Sequence, residues 1–260
     1  MNVLIFDIET VADVEAGRRL YGDRAAMDSL SDEEVARVIA HHHSQNALGI
    51  HEQINPHLHK IVAIAAVLRS GERLRIDSLG TLETGEAELL EQFFKIIQHY
   101  SPTLVSWKGH WFAQPILHYR AFLHGIYAHR YWEKQEFHHS NPIHSTHHLD
   151  LMDVLAGHQS TAFTQLEEVA RWLNLPYQAP LSSDLKWKFY SHGQVQTIRD
   201  SCEFNALIIY LLLLRFELMR GNLTKEKYLE EYQRIREKLT SATNKSHLNR
   251  FLTIEPNYMN

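Results

Sequence analysis

Near the start of the chain, Phe6-Asp7-Ile8-Glu9-Thr10 follows a short apolar run, Val3-Leu4-Ile5-Phe6. Side chains two apart on a strand share a face, so Asp7 and Glu9 project together at the end of that first strand. Neighbouring carboxylates repel. A hard divalent ion such as Mg²⁺ or Mn²⁺, which prefers oxygen ligands, would join them. Two solvated acids at a strand terminus are the alternative reading. Further along, Lys108 and His110 lie between Trp107 and Trp111. The two basic groups could hold a phosphate as point charges, and the indoles could stack on bases. An exposed loop that binds nothing explains Lys108 and His110 equally well, and Trp107 suits the core.

Histidines gather at His41, His42, His43, His51, His57 and His59. Imidazoles are transition-metal ligands, yet three consecutive histidines cannot all face one ion in a regular element. No acid or cysteine is arranged with them, so a solvated loop is expected. Cys202 is the one cysteine, which excludes an internal disulfide and a cysteine-based zinc site.

These groups need a scaffold. Ile61 to Leu68 reads as a second strand; Ser70-Gly71 turns the chain and Arg73 to Leu79 alternates as a third. Glu86 to Tyr100 has helical apolar spacing with Thr84 as its expected N-cap, and Leu104 to Trp107 reads as a fourth strand. A helix is expected at 32–40, and another from Pro115 to the Gly125 stop. Thr164 and Glu167 would form a capping box for a helix through Leu173. Val195 to Arg220 forms a long helix stopped by Gly221, with an apolar face that belongs to the core. The last helix follows Thr224, with Tyr228, Tyr232, Ile235 and Leu239 on one face, either core or a partner surface. The order predicts an α/β domain with a mixed sheet. With no repeat or low-complexity linker, residues 1–260 are read as one domain, in which 12–60 is an insertion and 222–260 a C-terminal helical extension.

A chain of 260 residues with 44% hydrophobic and 22% charged residues is an ordinary globular balance. Its net charge of -5 supplies no global basic field, which argues against broad duplex binding but permits a local site for a strand end. The N-terminus lacks a signal-peptide pattern, and the apolar run from Ala206 to Leu214 is too short for a bilayer by roughly half. A cytoplasmic protein without membrane contact is expected.

Several stretches together resemble the predicted 3'-5' exonucleases related to the exonuclease domain of family B DNA polymerases. They are Val3 to Val11, Leu58 to Ala65, Pro115 to Ile126 (PILHYRAFLHGI), His148 to Leu155, and Leu213 to Gly221. The resemblance implies a ribonuclease H-like, five-stranded mixed sheet flanked by helices, with extra C-terminal helices here. It also implies two-metal hydrolysis of a nucleic-acid 3' end by four acids of the DEDDy set. Asp7 and Glu9 match the first motif, Asp-x-Glu. The second motif has asparagine, a glycine turn and Phe-Asp, where this chain reads Lys108-Gly109-His110-Trp111-Phe112-Ala113. The third, Tyr-x-x-x-Asp, reads Ser201-Cys202-Glu203-Phe204-Asn205. Ala113 and Asn205 thus stand at two acid positions, and Ser201 at that of the water-orienting tyrosine. The accompanying Lys108, His110, Trp111 and Phe204 scatter the departures, the pattern of natural loss rather than deliberate disarming.

Two divalent ions about 3.8 Å apart repel by roughly 17 kcal/mol at an effective dielectric of about 20. Asp7 and Glu9 supply half the protein charge that would offset this, while Asn205 offers only a neutral oxygen. At most one weakly held Mg²⁺ or Mn²⁺ is expected. Glu203 lies about 200° around a helix from Asn205 and points away, and Asp200 is also misphased. Asp150 and Asp153 suit a helix start as caps, with Asp150 the only candidate for direct replacement. The expected protein is a degenerate exonuclease that binds a 3' end or single strand weakly, alone or beside a protein partner. The alternatives are an active Mg/Mn-dependent exonuclease with unrecognised ligands, and a protein-interaction scaffold that does not bind nucleic acid.

Overall fold

The structure, a computed structural model, describes residues 1–21, 27–45, 55–136, 147–242 and 244–255. Strand β1 (Asn2–Ala12) is followed by helices α1 (Val14–Leu20) and α2 (Asp32–Gln45), then by β2 (His59–Ser70) and β3 (Arg73–Ser78). Helix α3 (Glu86–Tyr100) leads to β4 (Thr103–Ser106). One π-helical turn, Gly109–Ala113, then runs directly into α4 (Gln114–His124), followed by α5 (His129–Glu136). Next come β5 (His148–Asp150), α6 (Leu151–Leu155), α7 (Leu166–Trp172), α8 (Ser183–Ser191), α9 (Val195–Met219) and α10 (Lys225–Thr240). A 3-10 segment, Ser246–Thr253, closes the described chain.

The sheet order is β3-β2-β1-β4-β5. The first three strands pair antiparallel as a meander, whereas β4 runs parallel to β1 and β5 parallel to β4. This is the mixed five-stranded sheet with flanking helices that a ribonuclease H-like chain requires. Alternation along β1 sorts its residues between two cores. Leu4, Phe6 and Ile8 pack with Phe93 and Ile97 of α3 and Leu117 of α4. Ile5 faces the other way, onto the layer that includes Leu207 and Leu211 of α9. β2 is buried on both faces, which explains its nearly unbroken apolar run.

Two buried ion clusters fasten the layers. Arg120 of α4 bonds Asp13 Oδ2 at 2.6 Å and also pairs with Glu86 of α3, whose Oε1 accepts the Ile61 amide. On the other face Glu231 of α10 takes Arg69 of β2 through two nitrogens and the Tyr210 hydroxyl of α9. Such charges are tolerated in the interior because each is paired with an opposite charge.

Several local expectations differ from the structure. β1 continues to Ala12, because β2 pairs with it as far as Ala12↔His59, so Asp7 and Glu9 lie within the strand rather than at its end. Helix α3 is capped by Gly85, while the Thr84 hydroxyl instead accepts the Thr81 amide at 2.7 Å to close a turn. The capping box at Thr164 and Glu167 does not form: the chain enters α7 one residue later, at Gln165. Helix α2 runs on to Gln45, so His41, His42 and His43 are helical, not in a loop. His57 packs on the Tyr119 ring, and His59 in β2 bonds Thr10 Oγ1 at 2.9 Å. His51 lies outside the described residues.

Candidate functional site

β4 pairs with β1 only through Val3, Leu4 and Ile5. Asp7 and Glu9 therefore lie beyond the carboxyl end of β4, in the crevice where open α/β sheets take their ligands. A bulge between Glu9 and Thr10 bends β1 at this point. Both acids share the face of Ile5, under α9. The Cys202 thiol donates to the Asp7 carbonyl at 3.2 Å, and Asn205 one turn on donates its Nδ2 to Asp7 Oδ2 at 3.1 Å. Burial and the Glu9 carboxylate push Asp7 up to about 7, against the opposing pull of Asn205 and Lys186. Glu9 is buried, and its Oε2 accepts from the Lys186 ammonium at 2.9 Å.

Lys186 belongs to α8, whose first turn is capped by Ser182 Oγ, an acceptor for the Leu185 amide at 3.2 Å. Gln178, in the loop before α8, completes the arrangement. Its Nε2 donates to Ser201 Oγ at 2.9 Å, to the Ser201 carbonyl at 3.1 Å and more weakly to Asn205 Oδ1 at 3.4 Å. Both ends of the Asn205 amide are thus engaged, and Ser201 is spent on Gln178.

This donor set can be tested against a pair of divalent ions. Asp7 faces an N–H donor, Glu9 holds an ammonium, Ala113 is buried in the apolar layer of α4, and the Asn205 oxygen faces an amide N–H. Hard cations need free anionic oxygens. The residues present do not fit a two-ion centre. Among the described residues no group of three or more His, Cys, Asp or Glu is arranged to hold a metal.

The turn at the second motif is built from below. Lys108 has φ 61°, and at Gly109 a Cβ would come within 1.9 Å of Ser106 Oγ and 2.7 Å of His148 Cε1, so only glycine fits. Asp150, at the end of β5, accepts the Lys108 amide at 3.0 Å and the His110 amide at 2.9 Å. It also caps α6 through Met152 and Asp153. Asp150 is therefore a clasp and cap rather than a replacement ligand. Burial is the main reason its pKa is raised. His110 is turned inward, with Nδ1 3.5 Å from Asp153 Oδ2 and its ring edge-on to His148 at 4.7 Å. Trp111 is half-exposed and meets the Phe163 ring at 5.7 Å, while Trp107 Nε1 donates to the Thr164 carbonyl.

Lys108, Lys186, Lys188, Arg37, Phe112 and Thr10 are among the residues that line a groove of about 800 Å³ beside the acids. Glu203 points the other way, to the Ser78 amide, Lys245 and His247; Asp200 bonds Gln196. The third motif's neighbouring acids thus serve the fold.

A family model described as predicted 3'-5' exonuclease related to the exonuclease domain of PolB matches residues 51–254. The chain belongs to that family. No curated protein matches it. The matched part of this exonuclease-family chain contains Lys108, Ala113, Ser201 and Asn205, and begins after β1, so Asp7 and Glu9 lie outside it. Among the described residues no helix is long and apolar enough to cross a membrane.

The structure places Asn205 on Asp7, two residues from Glu9, and links Ser201 to Asn205 through Gln178. Sequence reasoning missed Lys186 and Gln178. Ser182, Ser183 and Asp184 ahead of Leu185 were the available signal for α8, an N-cap pattern that would have drawn attention to the lysine at the helix's fourth residue.

Proposed function

We propose that this chain is a degenerate member of the exonuclease family that binds single-stranded nucleic acid or its 3' end, with two-metal hydrolysis lost or strongly reduced. The observation that carries the reading is the partnering of both surviving acids: Asp7 with the Asn205 amide and Glu9 with Lys186. Hydrolysis by two ions needs anionic oxygens at the ions and an oriented water. Here two acid positions are Ala113 and Asn205, and the water-orienting position is Ser201, bonded to Gln178. Recognition is supported by the groove, where Lys108 is among the lining residues as a phosphate contact. The half-exposed Trp111, braced edge-on by Phe163, offers a face on which a base can stack. His110 contributes by shaping the turn that presents Lys108, held there by Asp150 and Asp153.

The test is a 3'-labelled single-stranded DNA incubated with Mg²⁺ or Mn²⁺ and either this protein or its Asp7→Ala variant. Equal, negligible cleavage by both, with retention of the strand that weakens as salt rises, supports the reading. Cleavage that disappears in Asp7→Ala overturns the loss of hydrolysis. Absence of strand binding at low salt overturns recognition and leaves a protein-interaction scaffold.

A further inference from the structure

Lys186 has no counterpart in the acid motifs, yet it makes the closest charged contact at the site. Its side chain is 18% exposed and that of Glu9 9%, so their 2.9 Å pair is largely shielded from water. The ammonium does not reach Glu9 from a loose tether. α8 is fixed at its start by the Ser182 cap. Near its end Lys60 of β2 donates to the Tyr190 hydroxyl at 2.8 Å and lies 5.3 Å from the centre of that ring. The Lys60–Tyr190 contact thus ties the end of α8 to the sheet, and the cap orders the turn that carries Lys186 over the β1 acids. Glu9 sits close enough to Asp7 to disfavour its charge. A positive group beside them relieves that repulsion, and Lys186, 2.9 Å from Glu9, is part of the chain.

We propose that the Lys186 ammonium is the resident cation of this site, in the charge-compensating place that a divalent ion would otherwise take. The proposal rests on the reading that hydrolysis is lost and adds what stands in the ion's stead. A Glu9 oxygen that already holds an ammonium cannot also ligate a divalent ion unless the lysine swings away, because the two cations repel at contact distance. Asn205 acts in the same sense, since it presents an N–H to Asp7 where a metal ligand would present an oxygen. A strand end is then met by side chains rather than by a metal, with Lys108 and Lys188 lining the same groove as Lys186.

Binding of Mn²⁺, followed by the loss of the free-ion electron paramagnetic resonance signal, tests this without reference to activity. The wild-type protein and Lys186→Arg, which keeps the charge, are expected to leave millimolar Mn²⁺ free. Lys186→Met and the double variant Lys186→Met/Asn205→Asp, each checked for folding by circular dichroism, are expected to bind it at least about tenfold more tightly. The wild-type affinity for single-stranded DNA is expected to be the same in EDTA and in Mn²⁺. Stoichiometric Mn²⁺ on the wild-type protein, no gain in either folded variant, or strand binding that requires Mn²⁺ would each overturn the proposal. An ion on the wild-type protein without cleavage would defeat this inference alone. Cleavage that depends on Asp7 would defeat the loss of hydrolysis itself.

Discussion

Glu203 lies two residues before Asn205 on α9, and neutralising it should release the C-terminal segment from the sheet. Its Oε2 accepts from Lys245 Nζ at 2.7 Å and pairs with His247 Nε2 at 2.9 Å, and its Oε1 accepts the Ser78 amide at 2.8 Å. Burial alone would raise the pKa of this carboxyl. The bonds from His247, Lys245 and Ser78, with the charge of Lys245, outweigh burial and bring it from the ordinary 4.5 down to about 2. At about 1.4 kcal/mol for each pH unit, that difference corresponds to roughly 3 kcal/mol of folding stability. A depressed carboxylate contributes fully above its unfolded value, and the contribution is lost as pH falls through the folded one. Glu203→Gln should therefore cost about 3 kcal/mol at pH 7 by urea denaturation. The gap between variant and wild type should narrow below pH 4.5 and close near pH 2. Proteolysis between Ser246 and Thr253 should speed up as well, since Lys245 and His247 anchor that segment. A cost that stays the same from pH 7 to pH 3 would refute the linkage.

Arg120→Met should be more damaging, because it leaves Asp13 and Glu86 buried without their cation; a loss of about 3–5 kcal/mol in urea denaturation is expected. Gly109→Ala should cost about 1–3 kcal/mol, since the new methyl would overlap Ser106 Oγ; thermal melting gives the readout. His118 is held neutral by burial, which lowers its pKa from 6.5 to about 4. Because the unfolded chain takes up that proton first, the wild type should lose stability as pH falls from 6.5 to 4. His118→Leu should flatten that part of the urea-derived profile.

The parts of the fold visible in the sequence were those fixed by local pattern. The unbroken apolar run of Ile61 to Leu68 marks a strand buried on both faces, and Gly221, at φ 75°, ends α9 as expected. Period two placed Asp7 and Glu9 on one face, and helical phase sent Glu203 away from Asn205. The missed features arise from contacts distant in sequence. Lys186 meets Glu9 across 177 residues, and α8 buries none of its residues, so no apolar stripe marked the helix. His110 looked like a loop residue because the carboxylate that folds its turn is Asp150, 40 residues on. β1 reached past its apolar core because its partner β2 extends that far.

Cys202 has a consequence of its own. Its thiol is fully buried between α9 and β1, and burial keeps it protonated well above the ordinary range. Thiol reagents attack the thiolate, so modification under native conditions must wait for α9 to lift from the sheet. Every such opening also parts Asn205 from Asp7, one helical turn away. With a single cysteine in the chain, the labelling rate is a clock for how often the site comes apart, and a ligand that braces α9 against β1 would slow it.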